Sequence, residues 1–354
     1  MMGEYPKIEV YEKKNPKKPK LGFSGRIAVI GAFDITDTDP IYCEDLDDAY
    51  IKLGTDKTYD GVSALEYLFV GADGIIAVNV TTKSDATPPV IEKDITAENL
   101  AISLSKIKNE RFDMLFIAGE MSDVMIPLVT QFTSQRLLNK LPIGYMFGID
   151  RTTKAEYQTT MDLIDDASYG VITQHFIINN QTLSLINSCA YYMGLVAKTG
   201  LGNSMTKKKI DDVEGLTPEL VFETVEDGVS GLDLLKMGIT TFECFDREND
   251  EYVCVNSQQP NGLDLYINRV RDYVIRQMAL HDFLGERNRP RTLSEVEQEL
   301  SRIKKLCVDT LDLLTDIEYN VVKKSPNCVD VNITKLLFDG VITHINVYFT
   351  IEVE

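Results

Sequence analysis

The middle of this chain alternates between amphipathic helices and short apolar strands, and no other feature limits the fold as tightly. Thr96-x-x-Asn99 opens an expected helix at Ala97–Lys108; strand Met114–Ala118 and helix Ser122–Asn139 follow. Strand Ile143–Ile149, helix Lys154–Asp165 and strand Gly170–Ile178 continue the series, and Gln181–Thr199 reads as a further helix rich in small residues. Such a series belongs to an α/β architecture. Upstream, Arg26–Phe33 reads as a buried strand after a glycine turn at Gly22 and Gly25. Asp45–Leu53 reads as a short helix ended by Gly54, Gly61–Phe69 as an apolar-periodic helix, and Gly74–Thr81 as another strand. Lys83–Asp94, carrying Pro88 and Pro89, reads as an exposed loop, and Gly200–Lys209 as a polar one.

The last third has a different texture. Ser230–Lys236 is expected to be a short helix, and Ile239–Phe245 and Tyr252–Val255 flank a charged loop, Asp246–Glu251, as a hairpin. A long helix over Leu263–Leu284 turns Leu263, Ile267, Val270, Val274, Met278 and Leu280 toward a core. Thr292-Leu-Ser-Glu295 is a capping box that opens a second helix, with Val296, Leu300, Ile303, Leu311 and Leu314 at helical spacing. Two strands follow, Cys328–Phe338 and Val341–Val353, separated by Asp339-Gly340, a hairpin signal. Val341–Glu354 alternates strictly: Val341, Thr343, Ile345, Val347, Phe349, Ile351 and Val353 share one face. An apolar strand of this kind needs a partner, from its own sheet or a neighbour's.

The chain is thus read as multi-domain, α/β and α+β. Residues 1–20 form an arm, 21–94 a β-rich region, 95–258 a central α/β domain, and 259–354 a C-terminal domain of two helices and strands. At 354 residues with 44% hydrophobic and 26% charged content, the composition is that of a soluble globular protein. No run approaches the roughly 20 apolar residues of a membrane span, and the first residues lack the apolar stretch of a secretory signal. Six cysteines without paired spacing read as reduced and mostly buried. A formal charge of −19 argues against nucleic acid or an anionic membrane as partner. Against that background, residues 1–20 hold six lysines (7, 13, 14, 17, 18 and 20) and three glutamates. A basic arm on an acidic body is suited either to binding another copy of that body or to remaining a solvated tail.

The chemistry-bearing motifs are weak. Ile27-Ala-Val-Ile-Gly31 resembles the first strand of a dinucleotide-binding fold, but Ala32-Phe33-Asp34-Ile35-Thr36 supplies neither the further glycines nor the helix that would hold a pyrophosphate. Gly200-Leu-Gly202-Asn-Ser204 is a phosphate loop in composition only. His175, His281 and His344 are isolated, and the adjacent pairs Asp165-Asp166 and Asp211-Asp212 do not share a helix face. No catalytic, metal or cofactor constellation emerges, so the chain is expected not to be an enzyme. A nucleotide-binding α/β enzyme of Rossmann-like type is the alternative that the middle third leaves open.

Read in order, the pieces resemble the contractile tail sheath proteins of bacteriophages, tailocins and related injection machines, from about Gly22 to Glu354. Gly22-Phe-Ser-Gly-Arg-Ile-Ala-Val-Ile-Gly31 looks like the family's opening strand. Asp48-Ala-Tyr-Ile-Lys-Leu-Gly54 resembles its next element, which stops at a glycine. Ala64-Leu-Glu-Tyr-Leu-Phe-Val-Gly71, leading to Ile76-Ala-Val-Asn-Val80, is similar to the family's apolar helix and the strand after it. Leu234-Leu-Lys-Met-Gly-Ile-Thr240, Asp264-Leu-Tyr-Ile-Asn-Arg269, Phe283-Leu-Gly285-Glu-Arg-Asn288-Arg-Pro290 and the terminal strand carry the stronger half. The chain departs from the pattern after the hairpin, where many sheaths have a tryptophan and an arginine–threonine pair. Here the sequence is Tyr252-Val-Cys-Val-Asn-Ser257, and the chain has no tryptophan.

The resemblance implies a structural subunit without cofactors that stacks as rings, hexameric by family likeness, around a tail tube. Its partners would be other copies of itself, the tube protein, and baseplate and terminator proteins. Assembly would occur in a host cytoplasm, ending in a virion tail or released particle. It implies linkage by β-strand addition through Ile8, Val10 and Tyr11 in the arm and Val341, Ile345, Val347, Phe349 and Ile351 at the other end, with the lysines at 13–20 in a solvated linker. Arg287, Arg289 and Arg291 are expected to face the tube, with bridging of acidic neighbours within the sheath as the alternative. Another self-assembling tail protein is the remaining alternative.

Overall fold

The computed structural model describes residues 25–83, 91–139, 141–164, 168–223, 225, 228–249, 251–257, 259–260, 262–278, 290–325 and 328–339. The first elements are β1 (Ile27–Gly31), β2 (Ile41–Cys43), α1 (Leu46–Leu53), α2 (Asp60–Leu68), β3 (Ile75–Asn79) and the short β4 (Thr82–Lys83) and β5 (Ile91–Glu92). There follow α3 (Ala97–Lys106), β6 (Met114–Ala118), α4 (Ile126–Leu138), β7 (Gly144–Gly148), α5 (Lys154–Met161), β8 (Ser168–Ile172), β9 (His175–Ile178), β10 (Gln181–Thr182) and α6 (Leu185–Lys198). The remainder comprises β11 (Gly215–Thr217), α7 (Gly231–Lys236), β12 (Thr241–Asp246), β13 (Glu251–Asn256), α8 (Leu265–Gln277), α9 (Pro290–Lys305), a π turn at Leu306–Thr310, β14 (Asp316–Ser325) and β15 (Cys328–Leu337).

The continuous apolar runs become a six-stranded sheet of order β2-β3-β1-β6-β7-β8, parallel except for β2. Every residue of β1, β3, β6 and β8 is buried, as strands covered on both faces require. β1 and β3, from the expected N-terminal region, lie in the same sheet as β6, β7 and β8 from the expected central domain. The chain leaves β1 toward β3 on one side and returns past it to β6 on the other. Right-handed crossovers then place α2 and α3 on opposite faces, with a switch in strand order between β1 and β6. α2 packs on α6 over β1, β6 and β7, and α3 packs on α4.

The starts of α3 and α5 follow their caps. Thr96 accepts from Asn99 N while the Asn99 side chain accepts from Thr96 N, and Thr153 with Glu156 repeats the arrangement ahead of α5. The strand expected over Gly170–Ile178 divides in two. β8 ends at Ile172 in the large sheet, and β9 begins at His175 in a separate three-stranded sheet, β10-β9-β11. Gln174 makes the break: its Nε2 donates to the Pro218 and Phe242 carbonyls and its Oε1 accepts from Phe242 N. The helix expected at Thr292 begins two residues earlier, at Pro290, where a missing N–H costs the helix nothing. Leu311 and Leu314 lie beyond its end, and Asp316–Ser325, which sequence spacing left unassigned, is the strand β14.

A second, smaller core gathers Leu201, Val270, Tyr273, Val274, Ile303, Cys307, Leu314 and Ile317. α8 joins it to the sheet. Tyr266, Val270, Tyr273 and Val274 face the small core, while Arg269, Asp272 and Arg276 reach toward the α/β body. Its N-cap is Asp264, whose Oδ2 accepts the hydroxyls of Ser204, Thr206 and Ser257 at 2.8, 2.9 and 2.9 Å.

Candidate functional site: an open two-stranded sheet

The two motifs with a phosphate-loop appearance resolve into packing. A Cβ on Gly31 would lie 2.8 Å from Ala118 Cβ and 3.2 Å from Gly61 Cα, so this glycine lets α2 close on the sheet. The Phe33 ring sits against Gly61 at the start of α2, where a phosphate would have to approach. Asn79 stitches the chain beyond β1: its Oδ1 accepts from Phe33 N and Thr81 N, and its Nδ2 donates to Ile35 O. In the other loop, Leu201 is part of the small core, Gly202 lies against Leu313, and Ser204 belongs to the hydroxyl cluster on Asp264. Among the described residues no group of three or more His, Cys, Asp or Glu is placed to hold a metal ion. No helix of the described residues is long and apolar enough to cross a membrane.

Among the described residues three sheets have only two strands, β4–β5, β12–β13 and β14–β15, and the hairpin β14–β15 has the longest strands of the three. Its strands pair antiparallel from Asp316↔Leu337 to Ser325↔Cys328, with bulges at Glu318/Tyr319 and Lys323/Ser325. Along β14, Ile317 is buried and Tyr319 and Val321 are half-buried, while Glu318, Asn320 and Val322 are exposed. The inward face packs on the small core together with Ile333 and Leu336. Among the described residues this sheet has only two strands, so the outer edges of both β14 and β15 are without a ladder partner there. A two-stranded ribbon is marginal in water, and an unpaired edge is a template for another strand.

The exit of β15 is held firmly. Thr315 N donates to Leu337 O at 2.8 Å and Thr315 Oγ1 to Asp339 Oδ1 at 3.0 Å. Tyr266 of α8 donates its hydroxyl to the Asp339 carbonyl, and its ring meets Phe338 edge-on with centroids 6.1 Å apart. Desolvation, then Asp264 and Asp339, raise the Tyr266 phenol above its ordinary pKa, so it stays a donor. At the same end of the ribbon, Lys304 Nζ on α9 lies 2.5 Å from Asp316 Oδ1, and this hydrogen bond lowers the Asp316 pKa. Asp339, the last described residue, is thus held by both Tyr266 and Thr315.

The linking residues expected from sequence, Ile8, Val10, Tyr11, Val341, Ile345, Val347, Phe349 and Ile351, lie outside the described residues. So do Arg287 and Arg289; Arg291 is the second residue of α9, and its side chain is not among those described. Sequence reasoning placed Cys328–Phe338 as a strand but missed β14, the strand it pairs with, and missed the anchors Tyr266 and Thr315. The alternation of Ile317, Tyr319 and Val321 was the available signal.

No family model matches this chain, and no curated protein matches it in sequence. Among solved structures, a sheath tail protein from Desulfitobacterium hafniense superposes with a TM-score of 0.68 at 10% identity, covering 95% of this chain and 99% of that one. A sheath tail protein from Listeria innocua gives 0.65 at 12% identity over 90% and 92%. The helical sheath of the anti-feeding prophage in its contracted state gives 0.66 at 13% identity over 99% of both chains. The chain therefore has the fold of sheath tail proteins, mixed α/β and shared almost from end to end.

Proposed function

We propose that this chain is the subunit of a contractile tail sheath and that its β14–β15 ribbon is the socket through which copies are linked. The observation that carries the reading is the ribbon itself. Two ordered strands on a small core leave both outer edges without a ladder partner among the described residues, in a fold shared end to end with sheath proteins. A strand from another copy would complete the sheet by backbone hydrogen bonding, with side-chain alternation setting the register. Val341, Ile345, Val347, Phe349 and Ile351 supply one such strand; Ile8, Val10 and Tyr11 supply a second.

In this reading copies stack as rings around a tube, attached to a baseplate at one end and a terminator at the other. Strand links hold while subunits turn and slide during contraction, which drives the tube through an envelope. Arg287, Arg289 and Arg291 face the tube, and no reaction is catalysed. The particle assembles in a host cytoplasm.

Electron microscopy of the purified chain tests this. Rings or tubes of wide bore are expected, and a monodisperse monomer would refute it. Removing Val341–Glu354 should abolish polymerisation while the circular dichroism of the remaining chain is kept, because the core residues described all lie upstream. If reversing Arg287, Arg289 and Arg291 to glutamate leaves assembly on tubes intact, the tube-facing assignment is wrong.

A further inference from the structure

The switch in strand order between β1 and β6 opens a cleft of about 1030 Å³ at the carboxyl ends of the sheet. Its volume is at the upper end of the roughly 300–1,000 Å³ of ligand clefts, and its position is where doubly wound folds leave a crevice. Ile95, Ala118, Met121 and Ile186 contribute apolar lining. The charged lining is unbalanced: Asp60, Asp94, Glu120, Asp123 and Glu156 face Lys93 and Arg151.

The two cations are already committed. Arg151 pairs with Asp123 at 3.0 Å, and Lys93 donates to Thr58 Oγ1 at 2.9 Å and lies over the Tyr59 ring. Glu156 is taken up by the backbone N–H groups of Thr152 and Thr153. That leaves Asp60, Asp94 and Glu120 without an ion-pair partner among the described residues. Desolvation first and the neighbouring Asp94 second raise the Asp60 pKa, against a smaller lowering by Lys93. On the same wall the Ser122 hydroxyl oxygen is shielded from solvent and has no hydrogen-bond partner among the described residues. A ligand ammonium entering the cleft would meet these carboxylates.

The chain carries its own candidate. Residues 13–20 hold five lysines and no acid, in a protein of net charge −19. The described chain begins at Gly25, at the amino end of β1 and the pole of the sheet opposite the cleft. We propose that the cleft receives the lysine-rich segment Lys13–Lys20 of a second copy, joining copies head to tail. Such a contact is heterologous: it uses different surfaces on the two copies and propagates into rings or open stacks. It rests on the polymer reading above and adds a second, electrostatic contact to the strand link.

A labelled peptide spanning Glu12–Lys20 tests the site without requiring polymerisation. Fluorescence anisotropy should show binding to the full chain that weakens with salt, and at least tenfold weaker binding to a D60N/D94N/E120Q variant whose circular dichroism is unchanged. Equal binding to both proteins overturns the site, while wide-bore tubes from the unaltered chain would still uphold the polymer reading.

Charge reversal then separates a neighbour's segment from the chain's own. One copy carries D60K/D94K/E120K; the other carries K13E/K14E/K17E/K18E. Each alone should fail to form stacks seen by electron microscopy, and their mixture should restore them, because each segment then meets an opposite charge on the other copy. Failure of the mixture to restore assembly overturns the head-to-tail contact.

Discussion

Tyr169 on β8 donates its hydroxyl to Asp272 Oδ2 on α8 at 2.7 Å, with both side chains buried. This bond joins the large sheet to the helix that carries the small core. Desolvation raises the Asp272 pKa and is only partly offset by Arg271 and by the Tyr169 bond, so the carboxylate depends on that donor. Tyr169→Phe should therefore destabilise the chain by about 1–3 kcal/mol, the cost of a buried acceptor losing its partner. Asp272→Asn keeps an acceptor and removes the buried charge, so its loss should be the smaller in urea unfolding at neutral pH. The opposite order would mean that the charge, and not the hydrogen bond, holds this joint.

A second tie lies one helical turn further along. Arg276 pairs with Asp113, whose side chain is 4% exposed, and also donates to the Pro142 carbonyl. Breaking a buried pair by removing one partner typically costs about 3–5 kcal/mol, because the other charge stays behind. Asp113→Ala should fall in that range, and adding Arg276→Met should recover part of it. Full additivity of the two losses in unfolding measurements would count against a direct coupling.

The helices and strands of the α/β body were legible where their signals are local: Thr96 with Asn99 and the apolar run Met114–Ala118 sit where their patterns put them. What was not legible depends on contacts distant in sequence. The break between β8 and β9 is made by Gln174 bonding to Pro218 and Phe242, and nothing in Gly170–Ile178 announces it. Leu311 and Leu314 keep helical spacing with Ile303 because they enter the same small core, although the chain between them leaves the α-helix at a π turn. Of the candidate site, Cys328–Phe338 was readable as a strand, whereas β14 was masked by that borrowed spacing and by the paired Val321-Val322 and Lys323-Lys324.

Close packing of α2 and α6 rests on two glycines. A Cβ on Gly194 would lie 2.3 Å from the Tyr67 carbonyl oxygen, and one on Gly71, in the turn after α2, would lie 2.2 Å from the Gly194 carbonyl oxygen. Both obstacles are backbone, so a methyl at either position must push the segments apart. Gly71→Ala and Gly194→Ala should each cost about 1–3 kcal/mol, as overpacking does. The double variant should cost less than the sum, since the first displacement makes room for the second. Additive losses in a double-mutant cycle would show that the two contacts yield independently.

The start of α7 should carry an acid-dependent contribution to stability. Asp233 Oδ2 accepts from the Ser230 hydroxyl at 2.9 Å, and Oδ1 accepts from Lys154 Nζ, at the first residue of α5, at 2.5 Å. The Lys154 bond first, and the Ser230 bond second, lower the carboxyl pKa from 3.8 to about 2. A group whose pKa is lower in the folded state binds protons more readily when unfolded, so stability rises with pH where the two forms differ. The contribution is therefore complete above the ordinary aspartate value and is lost as the pH falls toward about 2. Asp233→Asn removes the ionisation but keeps the cap geometry. Its stability deficit relative to the parent should be constant above about pH 5 and shrink as the parent's carboxylate is protonated. Lys154→Met should abolish most of that pH dependence while leaving the Ser230 cap in place. A deficit for Asp233→Asn that stays constant in thermal unfolding from pH 6 down to the acid limit of the fold would mean that Asp233 acts only through its shape.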